Sequence, residues 1–162
     1  MNINEIDALV FDFDGVLTDN KVLVHQDGSE SVLCNRADGL AFDVLRKLKI
    51  PTYILSTETN TVVTQRAKKL KTHVIQGASN KLETLSKLCA EEYYDINKVL
   101  FIGNDLNDYQ VMRACGYSAC PSDCHPKIKQ ISSHVLISQG GDGIVRELLE
   151  EVFNLDFIKI LY

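Results

Sequence analysis

The sequence has no excess of basic residues and no long apolar run. Its 162 residues carry 17 Lys and Arg against 22 Asp and Glu, a formal net charge of −5. This balance argues against nucleic acid as the main partner, because binding a phosphate backbone requires a basic face. A small phosphorylated substrate needs only a local positive site and stays open. No stretch approaches the roughly 20 apolar residues of a membrane-spanning helix, so no membrane partner is expected.

No signal peptide is predicted at the amino terminus, since no basic segment precedes its first apolar run. The five cysteines are an odd number, which without a secretion signal indicates reduced thiols in a cytoplasmic protein. Cys120, Cys124 and His125 do not have the spacing of a zinc site, and we interpret them as ordinary core or loop residues. Repeats, low-complexity segments and linkers are also missing, so a single domain is predicted over residues 1–162.

Short apolar runs bounded by polar residues alternate with amphipathic segments. The three strongest runs, 8–11, 51–55 and 98–102, are typical of buried parallel strands, and shorter ones cover 73–76, 117–120 and 134–137. Helical periodicity predicts helices at 39–49, 60–70, 81–92, 108–115, 126–131 and 143–153. This alternation predicts an α/β fold with a central parallel sheet and right-handed crossovers.

One segment breaks the alternation. Residues 21–24 and 30–33 are two short apolar runs that flank His25-Gln26-Asp27-Gly28, and Asp-Gly is a favoured hairpin turn. A β-hairpin over about 20–34 is therefore predicted, and it is too small to be a cap domain.

The three strongest strands all end in polar residues, and ligands of open α/β sheets bind beyond the carboxyl ends of the strands. Asp12 and Asp14 follow the first, Ser56 the second, and the segment 103–108 the third, while Lys81 opens a helix. Carboxylates gathered at one edge repel one another unless a cation lies among them, and oxygen ligands of this kind favour Mg²⁺. One carboxylate could attack phosphorus and a second could transfer the proton. Ser56 and Lys81 could neutralise the phosphoryl oxygens.

These residues resemble four ordered motifs of the haloacid dehalogenase superfamily. Asp12-Phe13-Asp14-Gly15-Val16-Leu17-Thr18 resembles the first motif, Ser56 the second, Lys81 the third, and Gly103-Asn104-Asp105-Leu106-Asn107-Asp108 the fourth. The resemblance implies a Rossmann-like three-layer sandwich, with Asp12 as the nucleophile and Asp14 as the general acid and base.

The resemblance also implies a Mg²⁺ site. Its ligands would be Asp12, the main-chain carbonyl of Asp14, and the residue after Gly103. That residue is usually Asp in the family and is Asn104 here. An amide oxygen can bind Mg²⁺, so Asn104 is assigned as the direct ligand and Asp105 stays open as the alternative. Asp105 and Asp108 would otherwise hold metal-bound waters or Lys81.

A narrower resemblance covers nearly the whole chain. The hairpin in place of a cap and the segments 35–39, 76–81 and 140–143 are similar to the capless sugar-acid phosphatases. That group hydrolyses 3-deoxy-octulosonate 8-phosphate or nine-carbon sialic-type acid 9-phosphates. It implies a homotetramer in which hairpins pack together and neighbouring subunits cover each active site.

The residues after the second motif bear on the substrate. Octulosonate enzymes typically have Gly-Arg there, whereas this chain has Thr57 and Glu58. Together with Arg66 and Lys69, this segment is more similar to the nonulosonate 9-phosphatases, so a nine-carbon 2-keto-3-deoxy acid 9-phosphate is predicted. Further substrate contacts are expected from this resemblance at Asn35, Asp38 and Gly39, which could equally be an N-cap and turn.

Two alternatives remain. One is 3-deoxy-D-manno-octulosonate 8-phosphate phosphatase. The other is a non-catalytic tetramerisation module that partners a sialate cytidylyltransferase, since a phosphatase-like domain is attached to the animal synthetases. Asn104 favours the module, whereas the presence of Asp12, Asp14 and Lys81 favours an enzyme.

Overall fold

A six-stranded parallel sheet forms the centre of the computed structural model, which describes residues 1–162. Its strands lie in the order β5-β4-β1-β6-β7-β8. In chain order they are β1 (Ala8–Phe11), β4 (Thr52–Leu55), β5 (His73–Ile75), β6 (Val99–Ile102), β7 (Tyr117–Cys120) and β8 (His134–Val135). The predicted α/β fold with a parallel sheet is confirmed.

The register of the central strands brings their carboxyl ends together. Leu9 of β1 lies opposite Thr52 on one side and Leu100 on the other. Strands β1, β4 and β6 are buried along their whole length, and all their residues except Thr52 are apolar or aromatic, as expected for strands covered on both faces. The residues that follow them therefore meet at one edge of the sheet.

Helices cover both faces of the sheet. They are α1 (Ala37–Lys47), α2 (Thr61–Leu70), α3 (Lys81–Glu92), α4 (Tyr109–Ala114), α5 (Pro126–Ile131), α6 (Ile144–Glu147) and α7 (Phe157–Leu161). Leu9 and Phe11 pack into one apolar layer with residues of α1, α2 and α6, whereas Ala8 and Val10 pack into the other with residues of α3 and α4. Successive side chains of β1 thus point to opposite faces of the sheet, as expected because side chains alternate with a period of two along a strand. No helix is long and apolar enough to cross a membrane.

The predicted hairpin is present but shorter than expected. Strand β2 (Leu23–Val24) pairs antiparallel with β3 (Glu30–Ser31). Gly28 has φ +84° in the turn, a conformation that favours glycine. Leu23 and Val24 are 63% and 61% exposed, so no apolar layer extends the pairing.

The carboxyl-terminal part departs most from the predicted elements. The predicted helix 143–153 is α6 followed by a π-helical turn, Leu148–Val152. The strand predicted at 134–137 ends at Val135, because the Glu147 carboxylate accepts hydrogen bonds from the amides of Ile137 and Ser138. Helix α7 was not predicted from the sequence. Asp156 caps its start.

Candidate active site

Asp12 lies at the carboxyl end of β1, in the centre of the sheet. Its amide donates to the carbonyl of Ile102 on β6, which fixes the backbone, and only 4% of the residue is exposed. Its Oδ1 accepts a hydrogen bond of 2.7 Å from the Phe13 amide. The same oxygen lies 2.8 Å from Nζ of Lys81. Both contacts fall on Oδ1, so Oδ2 remains free of them.

Lys81 joins Asp12 to the end of β6. Asn80 caps α3 and Lys81 is its first residue, which directs the side chain to the sheet edge. Its Nζ lies 2.6 Å from Oδ1 of Asp108. Burial disfavours the ammonium form, but the two carboxylates outweigh burial and raise the pKa of Lys81. Lys81 is therefore a fixed cation beside Asp12.

Asp108 holds the loop after β6 in place. Its Oδ2 accepts hydrogen bonds from the amides of Asn104 and Asp105, at 2.9 and 3.4 Å. Asp105 in turn caps the short 3₁₀ turn 106–108 through its own carboxylate. Gly103 is required here because a Cβ would lie 2.6 Å from the Asp108 carboxylate.

Asn104 carries an unpartnered buried oxygen. The residue is 7% exposed, and its Oδ1 has no hydrogen-bond partner in the structure. A buried acceptor left unpaired costs about 1–3 kcal/mol, and a cation would satisfy it. The amide lies against Gly15, which has φ +75° and where a Cβ would fall 1.9 Å from Nδ2 of Asn104. Gly15 therefore leaves the space that Asn104 fills.

A pocket of about 90 Å³, which we call the carboxylate pocket, lies between these groups. It is lined by polar residues alone: Asp12, Asp14, Asn20, Thr57, Asn104, Asp105 and Asn107. No three His, Cys, Asp or Glu side chains cluster as a metal site. This finding is compatible with the expected ligands, because Asn104 and a main-chain carbonyl are outside that set. The donor set is all oxygen, which suits Mg²⁺.

Burial raises the pKa of both acidic residues of the first motif. Burial and the charge of Asp108 raise the pKa of Asp12, against the opposing effect of Lys81. Burial also raises the pKa of Asp14, and the negative charge of Glu58 adds to that rise. A carboxyl that holds its proton more tightly than usual can donate it to a leaving group.

Ser56 lies at the end of β4, with 1% of the residue exposed. Its Oγ accepts the Glu58 amide at 3.0 Å, so the hydroxyl hydrogen is free for another acceptor. Glu58 is held by the amides of Thr59 and Asn60, which donate to its Oε1 at 2.7 and 2.9 Å. Thr57 lines the carboxylate pocket directly.

The other expected substrate contacts do not line this pocket. Gly39, Arg66 and Lys69 line a separate groove of about 360 Å³ between α1 and α2. Asn35 precedes α1, where its Oδ1 accepts a hydrogen bond from the Ala37 amide and its carbonyl accepts one from Nη2 of Arg66. None of these four residues lines the pocket beside Asp12.

Asp38 is completely buried, and its Oδ1 accepts the Val145 amide at 3.0 Å. In this conformation it supports the start of α6 and cannot touch a substrate. Its expected substrate contact is corrected to this structural contact. A buried partner 107 positions away cannot be read from local sequence.

Two pocket residues were not singled out from the sequence. Asn107 belongs to the fourth motif but was not assigned a role, and it lines the pocket through its position between Asp105 and Asp108. Asn20 lies in the left-handed region, with φ 61°, a conformation that Asn tolerates better than most residues.

A larger cavity of about 640 Å³ lies at the opposite edge of the sheet, beside Pro51 and Thr52 at the start of β4.

The sequence and the fold are both similar to those of known hydrolases. The sequence pattern described as haloacid dehalogenase-like hydrolase matches residues 40–148, which include Ser56, Lys81 and Asn104. The chain is 32% identical over 146 residues to 3-deoxy-D-manno-octulosonate 8-phosphate phosphatase of Yersinia pestis. That match covers 90% of this chain and 78% of the relative.

Solved structures show the same architecture. A haloacid dehalogenase family hydrolase from Streptomyces avermitilis has a TM-score of 0.90 at 39% identity, with 93% of this chain and 86% of the other covered. The 3-deoxy-D-manno-octulosonate 8-phosphate phosphatase of Moraxella catarrhalis was solved with a magnesium ion, a phosphate ion and a KDO molecule. It has a TM-score of 0.89 at 27% identity, with 94% and 88% covered.

Proposed function

The chain belongs to the haloacid dehalogenase-like hydrolases, and we propose that it uses Asp12 as the nucleophile that hydrolyses a sugar-acid phosphate. It is a phosphoric monoester hydrolase with Mg²⁺ as cofactor. One observation carries the proposed mechanism: Asp12 lies 2.8 Å from a buried ammonium and beside a pocket containing an unpartnered amide oxygen.

In the first step, Oδ2 of Asp12 attacks phosphorus and the bond to the ester oxygen breaks. Asp14 gives its proton to the departing alkoxide, and its raised pKa suits that task. Lys81 and the Ser56 hydroxyl stabilise the negative charge on the phosphoryl oxygens. In the second step, Asp14 takes a proton from water, which attacks the aspartyl phosphate and releases inorganic phosphate.

Asp12, the Asp14 carbonyl and Asn104 would hold the metal, with Asp105 as the alternative to Asn104. When bound, Mg²⁺ supplies positive charge that offsets the carboxylates and the phosphoryl oxygens. Asp108 and the Asp105 backbone would keep Asn104 in position, as the hydrogen bonds from both amides to Asp108 indicate. A phosphatase screen across sugar-acid phosphates, with Mg²⁺ and with chelator, tests this function. No turnover of any phosphate ester with Mg²⁺ would favour the non-catalytic module instead.

We propose a nine-carbon 2-keto-3-deoxy acid 9-phosphate, KDN 9-phosphate or N-acetylneuraminate 9-phosphate, as the substrate. The support is Glu58, whose carboxylate accepts hydrogen bonds from two amides that fix its position. The negative charge of Glu58 also contributes to the raised pKa of Asp14, so the two carboxyl groups are close to each other. A fixed carboxylate accepts hydrogen bonds from sugar hydroxyls or an amide and repels a substrate carboxylate.

3-Deoxy-D-manno-octulosonate 8-phosphate is the second candidate substrate, because the curated relatives at 32% identity carry that activity in their names. A side-by-side measurement of kcat/KM decides between the two esters. A tenfold preference for the eight-carbon ester, which is about 1.4 kcal/mol of transition-state binding, would overturn the nine-carbon proposal.

We also propose a homotetramer that packs through the hairpins. Four apolar side chains there, Val22, Leu23, Val24 and Leu33, are 51–74% exposed, and such patches commonly mark interfaces. Arg66 and Lys69, which do not line the Asp12 pocket in their own subunit, would then be available to a neighbouring site. Sedimentation of the wild type and of Leu23→Glu tests this, and a monomeric wild type would overturn it. A cytoplasmic location is proposed with it, supported by five free cysteines.

A further inference from the structure

A chamber of about 270 Å³ opens beside Lys81, between the loop after β4 and the starts of α3 and α4. Its polar wall residues are Thr57, Ser79, Asn80, Lys81, Asn107 and Gln110. We call it the neutral chamber. Thr57 and Asn107 line both this chamber and the carboxylate pocket. The two cavities are therefore adjacent, on either side of Thr57 and Asn107.

The neutral chamber has no free charge. Lys81 is the one ionisable residue among those that line it. It is 3% exposed and lies 2.8 Å from Asp12 and 2.6 Å from Asp108, so its ammonium group is paired with these two carboxylates. The exposed wall residues Thr57, Ser79, Asn107 and Gln110 offer hydroxyl and amide groups. Such groups suit uncharged hydroxyls and leave a carboxylate without a partner cation.

We propose that the neutral chamber binds the hydroxyl-bearing carbons next to the phosphate, with Gln110 and Asn107 as hydrogen-bonding partners. The inference rests on the proposed function. In a sugar acid phosphorylated on its last carbon, the carboxylate is at the other end of the chain, and the carbons nearest the phosphate carry hydroxyls. The substrate carboxylate therefore lies outside this chamber, and the walls of the chamber recognise the hydroxyl groups.

The chemistry of the walls predicts selectivity. An amide both donates and accepts, so it can pair with a hydroxyl in either sense. A site built to hydrogen-bond hydroxyls discriminates against an ester that lacks them, because the polar walls are then left unpaired. The apolar residues Leu82 and Val111 also line the chamber and can contact the carbon chain.

Gln110→Ala tests the inference, because Gln110 is exposed on α4 and does not line the carboxylate pocket. The readout is kcat/KM for the nine-carbon ester divided by kcat/KM for p-nitrophenyl phosphate, whose leaving group has no hydroxyl chain. We expect this ratio to fall at least tenfold. The matched control is Gln65→Ala, an exposed glutamine of α2, for which the ratio should stay within twofold. An unchanged ratio in Gln110→Ala overturns the inference.

Gln110→Glu tests which group faces this wall. A glutamate still accepts hydrogen bonds from hydroxyls, so the variant should keep more activity on the sugar-acid ester than Gln110→Ala. If a substrate carboxylate lies there, repulsion makes glutamate the worse variant on that ester but not on sorbitol 6-phosphate, which has no carboxylate. That result would overturn the inference.

Sorbitol 6-phosphate also separates this inference from the proposed function. If neither sugar-acid ester is hydrolysed but sorbitol 6-phosphate is, the proposed substrate is wrong. The same ratio test on sorbitol 6-phosphate then decides the role of the chamber. An enzyme that hydrolyses p-nitrophenyl phosphate but no polyhydroxylated ester would overturn both.

Discussion

The ammonium group of Lys81 lies 2.8 Å from Oδ1 of Asp12, and both residues are at least 96% buried. Charges are removed from water only at a high cost, which close pairing offsets. Asp108 makes a second contact with the same ammonium, at 2.6 Å. Two carboxylates against one ammonium leave a net negative charge at the sheet edge, and this charge favours a cation in the adjacent pocket.

Replacement of Lys81 by alanine should destabilise the fold and abolish phosphatase activity. Two buried carboxylates would lose their shared partner, and breaking a buried pair typically costs about 3 kcal/mol or more. Urea unfolding and phosphatase assays measure the two effects. Lys87→Ala is the matched control, because Lys87 lies on the same helix with its side chain 77% exposed. Its effect should be under about 1 kcal/mol, and equal unfolding midpoints for the two variants would contradict the prediction.

The variant Asp12→Asn should fold and bind the sugar-acid ester but show no turnover, because the amide cannot attack phosphorus as a carboxylate does. Steady-state hydrolysis of the sugar-acid ester measures activity, and circular dichroism checks the fold. Asp156→Asn is the control, since Asn replaces Asp well at an exposed helix N-cap. Clear phosphatase activity in purified Asp12→Ala would exclude the nucleophile proposed here.

The parts of this site that follow strand ends were predictable from sequence. A buried parallel strand is an apolar run, and the run before Asp12 and the run before Asn104 end at the same edge as the run before Ser56. Local patterns carry this information because it depends only on strand direction. Contacts between distant parts of the chain do not follow from strand direction. Asp38 accepts a hydrogen bond from the Val145 amide, and Arg66 lines the groove between α1 and α2. Packing between distant segments decides these positions, so the periodicity of one helix cannot show them.

The magnesium site should depend on Asn104 and on the space beside Gly15. Asn104→Ala removes the unpartnered Oδ1, so the Mg²⁺ concentration for half-maximal activity should rise at least tenfold. Gly15→Ala should have the same effect, because its Cβ would collide with the Asn104 amide in a backbone conformation that favours glycine. Asn104→Asp should keep or tighten binding, since it restores a carboxylate.

Calorimetric titration of the protein with Mg²⁺ gives a readout independent of turnover. Excess chelator should abolish phosphatase activity, and added Mg²⁺ should restore it. Full activity in chelator would exclude the metal role, and unchanged Mg²⁺ affinity in Asn104→Ala would transfer the direct contact to Asp105.

Asp38 should make stability fall as the pH rises through the weakly acidic range. Burial raises its pKa from 3.8 to about 6, although the hydrogen bond from the Val145 amide and the charge of Arg66 oppose the rise. The folded state therefore binds this proton more tightly than the unfolded state does. The resulting stability is fully present below about pH 4 and is lost as the pH rises to about 6 and above.

Asp38→Asn removes this titration and keeps an oxygen that can accept the Val145 amide. Its stability relative to wild type should rise by about 2 kcal/mol between pH 4 and pH 7, since each pKa unit corresponds to about 1.4 kcal/mol and the unfolded chain is already half ionised near pH 4. The new amide also replaces Oδ2, which has no partner in the native fold. Urea unfolding across this range measures the difference, with Asp43→Asn, partly exposed on the same helix, as the control for removing one charge. Parallel pH curves for wild type and Asp38→Asn would contradict the raised pKa of Asp38.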